Sequence, residues 1–366
     1  MAKLSGQEVL QSFKPSRTIW PILIGVAVAA YILFRDFDIS VFQGINWNLG
    51  MGGLMIVAII MMICRDLAYI IRMRLLADKQ LNWRSAFQVT LLWEFSNAVT
   101  PSVSGGTPIM IFLLFKEGLS LGKSTAIIFL TILIDQLYFI LIVPVVLLLV
   151  GPEEMFRPLS AIEANTLFGQ GVYVTFWIVY SILFCYISFL LIALIVKPIY
   201  INRLIKRVFM LKWLKRWRRG GFTMANELLN AADNFRNKPF HYWLKIGGLT
   251  LWAWFSRYMV LNSILAAFAV ASLGLYDHMI IYSRQVVMFF MMIISPTPGS
   301  SGIAELMFQT LFADLTLEGL TSALAVLWRS IGYYPYLFIG AILLPHWIKR
   351  VYGSMESAQA DDGIQT

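Results

Sequence analysis

Eight charged side chains stand inside otherwise apolar stretches of this sequence: Arg65, Asp66, Glu94, Asp135, Arg257, Arg284, Glu305 and Arg329. A charge at the centre of a bilayer costs a few kcal/mol on insertion scales, so each of these must pair or face water. Asp135 and Arg257 fall near the middle of their stretches, too deep to snorkel. Arg65 and Asp66 lie nearer one end, where a structural pair explains them as well as function does. Asp135, Arg257, Glu305 and Arg329 are the chemical candidates. Arginines suit a phosphate or carboxylate, and the acids suit a cationic or hydroxylated group or a proton. The plain alternative is a buried ion-pair network that fixes helix register.

Two of the apolar stretches are broken in nearly the same way. The first reads Thr100-Pro101-Ser102-Val103-Ser104-Gly105-Gly106-Thr107-Pro108, the second Ser295-Pro296-Thr297-Pro298-Gly299-Ser300-Ser301-Gly302. With Gly105 aligned to Gly299, Asp135 falls on Arg329. Matched Pro/Gly breaks in two halves of a membrane protein point to an internal repeat with its binding site at the breaks. Thr107-Pro108 reads as an N-cap and first helical position, and Gly302 precedes a helical run from Ile303. Each returning half-helix then opens near the midplane with free N–H groups and positive partial charge, a ready anion site. Ser102, Ser104, Thr107, Thr297, Ser300 and Ser301 add hydroxyl donors. Glu305, in the first turn of its half-helix, either complements the dipole, meets a cationic headgroup or carries a proton. The candidate substrate site therefore collects Ser104, Gly105, Gly106, Thr107, Asp135, Arg257, Pro298, Gly299, Ser300, Ser301, Glu305 and Arg329. It holds no catalytic set, metal-ligand set or cofactor motif.

The elements that must position these residues follow from composition. The 366 residues are 59% hydrophobic and 13% charged, against about 25% charged in a soluble domain. The expected fold is all-α, a polytopic integral membrane protein forming one domain over residues 1–366. Runs near the 20 residues a span needs cover 18–35, 50–71, 124–150, 171–196, 243–270 and 319–344. Between Lys197 and Lys238 stand eleven Lys/Arg against Glu227 and Asp233. That bias puts the loop 197–242 in the cytoplasm. Lys3, Lys14 and Arg17 place the N-terminus there too, and Arg72, Arg74, Lys79 and Arg84 mark the return of the second span. Acidic Glu153, Glu154 and Glu163 fit the outer side, and His346, Lys349 and Arg350 put the C-terminus inside.

Segment 86–115 then begins and ends in the cytoplasm, so it reads as a re-entrant hairpin; segment 279–313 reads as one entering from outside. Span, hairpin and span recur over about 50–150 and 243–344 with opposite orientation, an inverted repeat. The alternative is a single kinked helix through 86–115.

Several chemistries find no support. Cys64 and Cys185 lie in apolar runs and form no disulfide framework. His241, His278 and His346 end hydrophobic runs and match no zinc spacing. Gly118-Leu119-Ser120-Leu121-Gly122-Lys123-Ser124 imitates a P-loop, but its first glycine is one residue too close and no strand precedes it. Leu211 to Arg219 interleaves Trp213 and Trp217 with basic residues, a membrane-surface pattern attracted to anionic lipid rather than a nucleic-acid site. No cleavable signal peptide is expected at the start of the chain.

The residues carry a family resemblance. Trp83-Arg84-Ser85-Ala86-Phe87, then Asn97-Ala98-Val99-Thr100-Pro101 and Gly105-Gly106, is similar to the first signature of the lysylphosphatidylglycerol synthase transmembrane-region family. Pro296 to Glu305 resembles its second, a proline/glycine turn followed by Gly-x-x-Glu. Arg329 matches an arginine of the following helix. Asp135 matches a Glu-Arg-x-x-Asp-like helix only at its aspartate, since Thr131 and Ile132 replace the charged pair. The resemblance implies a lipid translocase of the cytoplasmic (inner) membrane like the flippase half of the multiple peptide resistance factor, here without a synthase domain and not an enzyme. The implied partners are membrane lipids, either anionic or aminoacylated phospholipid or polyprenyl-linked lipid; homo-oligomerisation is compatible with the sequence. Two other readings stay open at this point. One is an intramembrane lipid-modifying enzyme with Asp135 and Glu305 as acid and base. The other is a non-transporting partner of envelope glycolipid synthesis.

Overall fold

The computed structural model describes residues 48–100, 106–163, 167–192, 196–269, 272–317 and 319–364. The expected first span and the stretch Pro101–Gly105 of the first break lie outside these residues. What is described is helical throughout: α1 (Leu49–Leu76), α2 (Trp83–Val99), α3 (Thr107–Lys116), α4 (Leu121–Val150), α5 (Pro152–Glu163), α6 (Leu167–Leu191), α7 (Pro198–Val208), α8 (Arg218–Arg236), α9 (Phe240–Ala267), α10 (Leu275–Ile293), α11 (Ile303–Phe312), α12 (Thr321–Gly332) and α13 (Tyr334–Ile364).

Four of the described helical stretches are long and apolar enough to cross a membrane: α1, α4, Gly171–Leu191 in α6, and Thr321–Val351 across α12 and α13. The 28 residues of α9 also suffice by length, although Lys245, Arg257 and several Trp, Tyr and hydroxyl residues lower its hydropathy. Local chemistry sets the helix starts. The side chains of Asn48, Asn82 and Ser120 accept from the N–H groups of Met51 (2.8 Å), Ser85 (2.7 Å) and Lys123 (3.2 Å), satisfying donors that a helix start leaves free. One expectation fails here. Arg72 does not mark a loop; it lies inside α1 with only 2% of its surface exposed.

Segment 86–115 is two antiparallel helices, α2 and α3, not one kinked helix. Arg350 of α13 ties their far ends together. It reaches Ser85 at the start of α2 (3.4 Å) and pairs with Glu117 just after α3, which also accepts from Trp347 (2.6 Å). Nearby, Asp78 of the α1–α2 turn accepts from Lys123 (3.1 Å), Asn234 (3.0 Å) and Lys238 (2.6 Å). Burial alone would raise the Asp78 carboxyl, but the hydrogen bonds from Lys238 and Lys123 outweigh it and hold the carboxyl below its ordinary value. Glu227 of α8 caps the start of α4 at Gly122 N (2.9 Å). A Cβ on Gly122 would sit 2.3 Å from the Glu227 Cβ, so the close seat of α8 requires glycine there.

The second pair, α10 and α11, closes at the other end of α4. Arg284 of α10 donates to Asp314 beyond α11 (2.6 Å), to Leu311 O (3.0 Å) and to Glu154 O of α5 (3.2 Å). Tyr276 donates to Val150 O, the last residue of α4 (3.3 Å). Arg284 therefore stitches helix ends and does not sit at the site.

Packing is reciprocal between the two halves. α1 lies along α9. α2 packs on α13 as α10 packs on α4, and α1 touches α12 as α9 touches α4.

Candidate functional site

Residues flanking the first break (Ala98, Thr107) and residues of the second (Gly299, Ser300) face one cavity of about 180 Å³. The rest of its wall comes from α1, α2, α4, α9, α10, α12 and α13. In α1, Arg65, Tyr69 and Arg72 stand at i, i+4 and i+7, so they form one stripe on the helix face, and that stripe lines the cavity.

Arg65 meets two carboxylates, Asp66 at 2.9 Å and Glu94 of α2 at 2.6 Å. It also donates to the Tyr336 hydroxyl (3.0 Å), which lies 2.8 and 2.7 Å from the two Asp66 oxygens. Arg72 grips Asp135 of α4 with both terminal nitrogens, at 2.6 and 2.7 Å, and donates to Thr250 at 2.8 Å. Trp254 donates its indole N–H to the same aspartate at 3.1 Å. A two-pronged guanidinium–carboxylate bond of this kind fixes both partners in direction as well as distance. Tyr69 is shared: the guanidinium carbons of Arg65 and Arg72 lie 4.8 and 4.7 Å from its ring centre.

The second break is built around Arg329. Its Nε holds Glu305 at 2.9 Å, and its two terminal nitrogens donate to Gly299 O (2.9 Å) and Ser300 O (3.3 Å). Glu305 uses its other oxygen to accept from Gly302 N at 2.6 Å, capping α11. The anion at this helix start is thus a carboxylate of the chain itself, complementing the dipole. Gly299 has φ +56, and a Cβ there would sit 2.1 Å from the Tyr333 ring, so conformation and space both require glycine. Ser300 shares the left-handed conformation at φ +57 and anchors its hydroxyl on Met292 O at 2.9 Å. Tyr333 also donates to Ala98 O at the end of α2 (3.1 Å), joining the two broken segments.

Arg257 stands apart. It is half-buried on the cavity wall, its guanidinium 5.7 Å from the Trp254 ring centre, and no carboxylate pairs with it among the described residues.

The expected site residues are therefore only partly assembled. Thr107, Asp135, Arg257, Gly299, Ser300 and Arg329 line the cavity. Gly106, Pro298, Ser301 and Glu305 do not line it, and Ser104 and Gly105 lie outside the described residues. Gly106, not Thr107, is the N-cap of α3, and Pro108 is the second helical residue. A Cβ on Gly106 would meet Asn97 Oδ1 at 2.4 Å. Sequence reasoning missed Tyr69, Arg72, Trp254 and Tyr336 and did not select Glu94. For α1 a signal existed in the helical spacing of Arg65, Tyr69 and Arg72, but Arg72 was counted as a loop charge.

The same stretch of chain has known relatives. A UPF0104 membrane protein of Archaeoglobus fulgidus is 26% identical over 333 residues, which are 88% of this chain and 94% of that protein. Residues 19–340, which carry both broken segments and every cavity-lining residue named above, match the family described as Lysylphosphatidylglycerol synthase TM region. Since that match takes in most of the sequence, the chain belongs to the lysylphosphatidylglycerol synthase transmembrane-region family, a membrane-protein family linked to lipid handling.

Proposed function

We propose that this protein moves the headgroup of a phosphate-bearing lipid across the cytoplasmic membrane, while the tails stay in the bilayer. The observation that carries this reading is Arg257, a cation with no carboxylate partner among the described residues, on the wall of a cavity lined from both broken segments. A half-buried guanidinium left unmatched among apolar helices is a standing site for an anion. Anionic and aminoacylated phospholipids and polyprenyl-linked lipids all offer a phosphate there. Arg72 and Arg329 are committed to carboxylates, so they shape the cavity more than they bind.

In this reading α2–α3 and α10–α11 are re-entrant hairpins entering from opposite faces of the membrane. Reciprocal packing of the two halves supports an inverted repeat, and irregular backbone at such depth is tolerated where it lines a wet cavity. Rocking one half against the other then alternates access. The lipid emerges chemically unchanged, so the protein is not an enzyme.

Reconstituted liposomes test this. Headgroup-labelled anionic phospholipid should cross faster with the protein than in empty vesicles. Arg257→Gln removes a charge-assisted bond worth about 1.5–3 kcal/mol, so the rate should fall roughly 10- to 150-fold. Equal rates in loaded and empty vesicles would end the proposal, as would a chemically altered lipid in the mass spectrum.

A further inference from the structure

The arginines and carboxylates at this cavity are not matched one to one. Arg72 takes Asp135 and Arg329 takes Glu305, but Arg65 takes both Asp66 and Glu94, and Arg257 takes no carboxylate among the described residues. The surplus carboxylate and the surplus cation share one cavity. The two acids on Arg65 are also held differently. Asp66 has Arg65 and the Tyr336 hydroxyl. Glu94 has a single Arg65 nitrogen at 2.6 Å, its side chain 17% exposed and lining the cavity. Of the two acids, Glu94 lines the cavity and Asp66 does not, so a proton arriving through the cavity meets Glu94.

We propose that Glu94 is a proton-binding site that couples the movement of one monoanionic headgroup to one proton; the coupling rests on the translocase reading above. Charge counting gives the reason. With Glu94 ionised and the cavity empty, the charges around it cancel. A monoanionic phosphodiester on Arg257 alone leaves one net negative charge, and a proton on Glu94 alone leaves one net positive charge. With both bound the site is neutral again. An uncompensated buried charge costs several kcal/mol, so the empty and doubly loaded forms exchange between the two faces and the singly loaded forms do not. That is symport. The proton comes from water at the open face, forms one O–H bond on the Glu94 carboxylate, and leaves to water when the other face opens.

The surroundings leave Glu94 as the group free to change charge. From α1 it faces Arg65, Asp66 and Tyr69, with Arg72 already bound to Asp135. From α13 it faces Tyr336, while His346, Lys349 and Arg350 lie roughly three to four turns further along that helix. From α3 the charged residue is Lys116, also at the far end and next to Glu117.

Two measurements on the full chain separate this from the translocase reading. Infrared difference spectra of the purified protein in nanodiscs should show a protonated-carboxyl band that grows when phosphatidylglycerol is added. That band should vanish in Glu94→Gln, persist in Asp66→Asn and shift in Glu94→Asp. In liposomes carrying a pH difference, labelled phosphatidylglycerol should accumulate on one leaflet by about tenfold per pH unit, with no response to voltage; Glu94→Gln should lose that accumulation. A band that survives Glu94→Gln overturns the site whether or not lipid moves. Lipid movement indifferent to pH overturns the coupling while the translocase stands. Movement only of amine-bearing headgroups, again indifferent to pH, overturns it in favour of an ammonium on Glu94. A band with no lipid movement overturns the translocase and the coupling together and leaves a proton site.

Discussion

Breaking the Arg72–Asp135 pair is the sharpest test of the buried charge network. Arg72 is 2% exposed and bonds Asp135 twice, at 2.6 and 2.7 Å. Arg72→Met keeps the approximate volume but strands the aspartate with the Trp254 N–H at 3.1 Å as its remaining donor. Removing one partner of a buried pair costs about 3–5 kcal/mol. The 15% exposure of the Asp135 side chain points to the low end, about 3 kcal/mol, or roughly 6 °C in Tm at about 2 °C per kcal/mol for a large domain. Adding Asp135→Leu should recover most of that, because no charge is then left unpaired. It should stop about 1 kcal/mol short of wild type, since the Trp254 N–H loses its acceptor. Thermal melts of the two single variants and the double, in detergent, measure the coupling directly. If Arg72→Met melts with the wild type, or if the double variant is worse than both singles, Arg72 and Asp135 do not form the buried pair described here. A double variant that melts normally yet moves no lipid would show that the pair also serves transport.

Gly299→Ala should destabilise by about 2–4 kcal/mol, combining left-handed strain with a 2.1 Å collision against Tyr333; a melt unchanged to within about 0.5 kcal/mol, the spread of neutral surface changes, contradicts the geometry of the break. The Asp78 latch should depend on acid. Its carboxyl is held below its ordinary value, so its contribution is present at neutral pH and is lost as pH falls through the folded-state value. Wild type should therefore outlast Asp78→Asn at pH 7, with the gap closing below about pH 4; a gap that stays constant with pH would separate Asp78 from any charge-dependent hold. For topology, Gln80→Cys in the α1–α2 turn should react with an impermeant reagent from the cytoplasm, and Leu275→Cys at the start of α10 from outside, in a background lacking Cys64 and Cys185. Labelling of both from one side removes the inverted repeat.

The helices and breaks are legible because each rests on local chemistry: long apolar runs, and Pro/Gly clusters that cannot continue a helix. The placement of charges was legible only where a residue had no other role. Arg257 stands out for its depth, and it lines the cavity with no carboxylate partner among the described residues. Arg284 reads as one more intramembrane charge and Arg72 as a loop charge, since depth along a linear sequence does not say which way a helix is turned. Arg284 points to the helix ends at Asp314, and Arg72 points inward at Asp135. The pairing of Asp135 with a residue of α1 joins positions far apart in sequence and is set by how α1, α4 and α9 pack, which no spacing within one helix encodes.

The aligned repeat placed Asp135 opposite Arg329 as though the two would share a ligand. The structure gives each its own partner from within its own half: Arg72 for Asp135, Glu305 for Arg329. This is what the inverted repeat proposed above would require. Each must neutralise its own buried charge, because a charge left to wait for its symmetry mate would be unpaired whenever the halves move apart. A pair closed within one half survives such a motion, whereas Arg65 and Glu94 in the first half and Arg257 in the second form a mismatch that spans the cavity. Only a mismatch between halves changes energy when they separate or a ligand enters, so it is there that substitution should alter transport while leaving the melt almost unmoved. Arg257→Gln, half-buried and without a carboxylate to strand, should lose less than about 1 kcal/mol of stability while slowing lipid movement at least tenfold. If it unfolds the protein as Arg72→Met is expected to, Arg257 is a structural charge with a partner, and the anion site must be sought elsewhere.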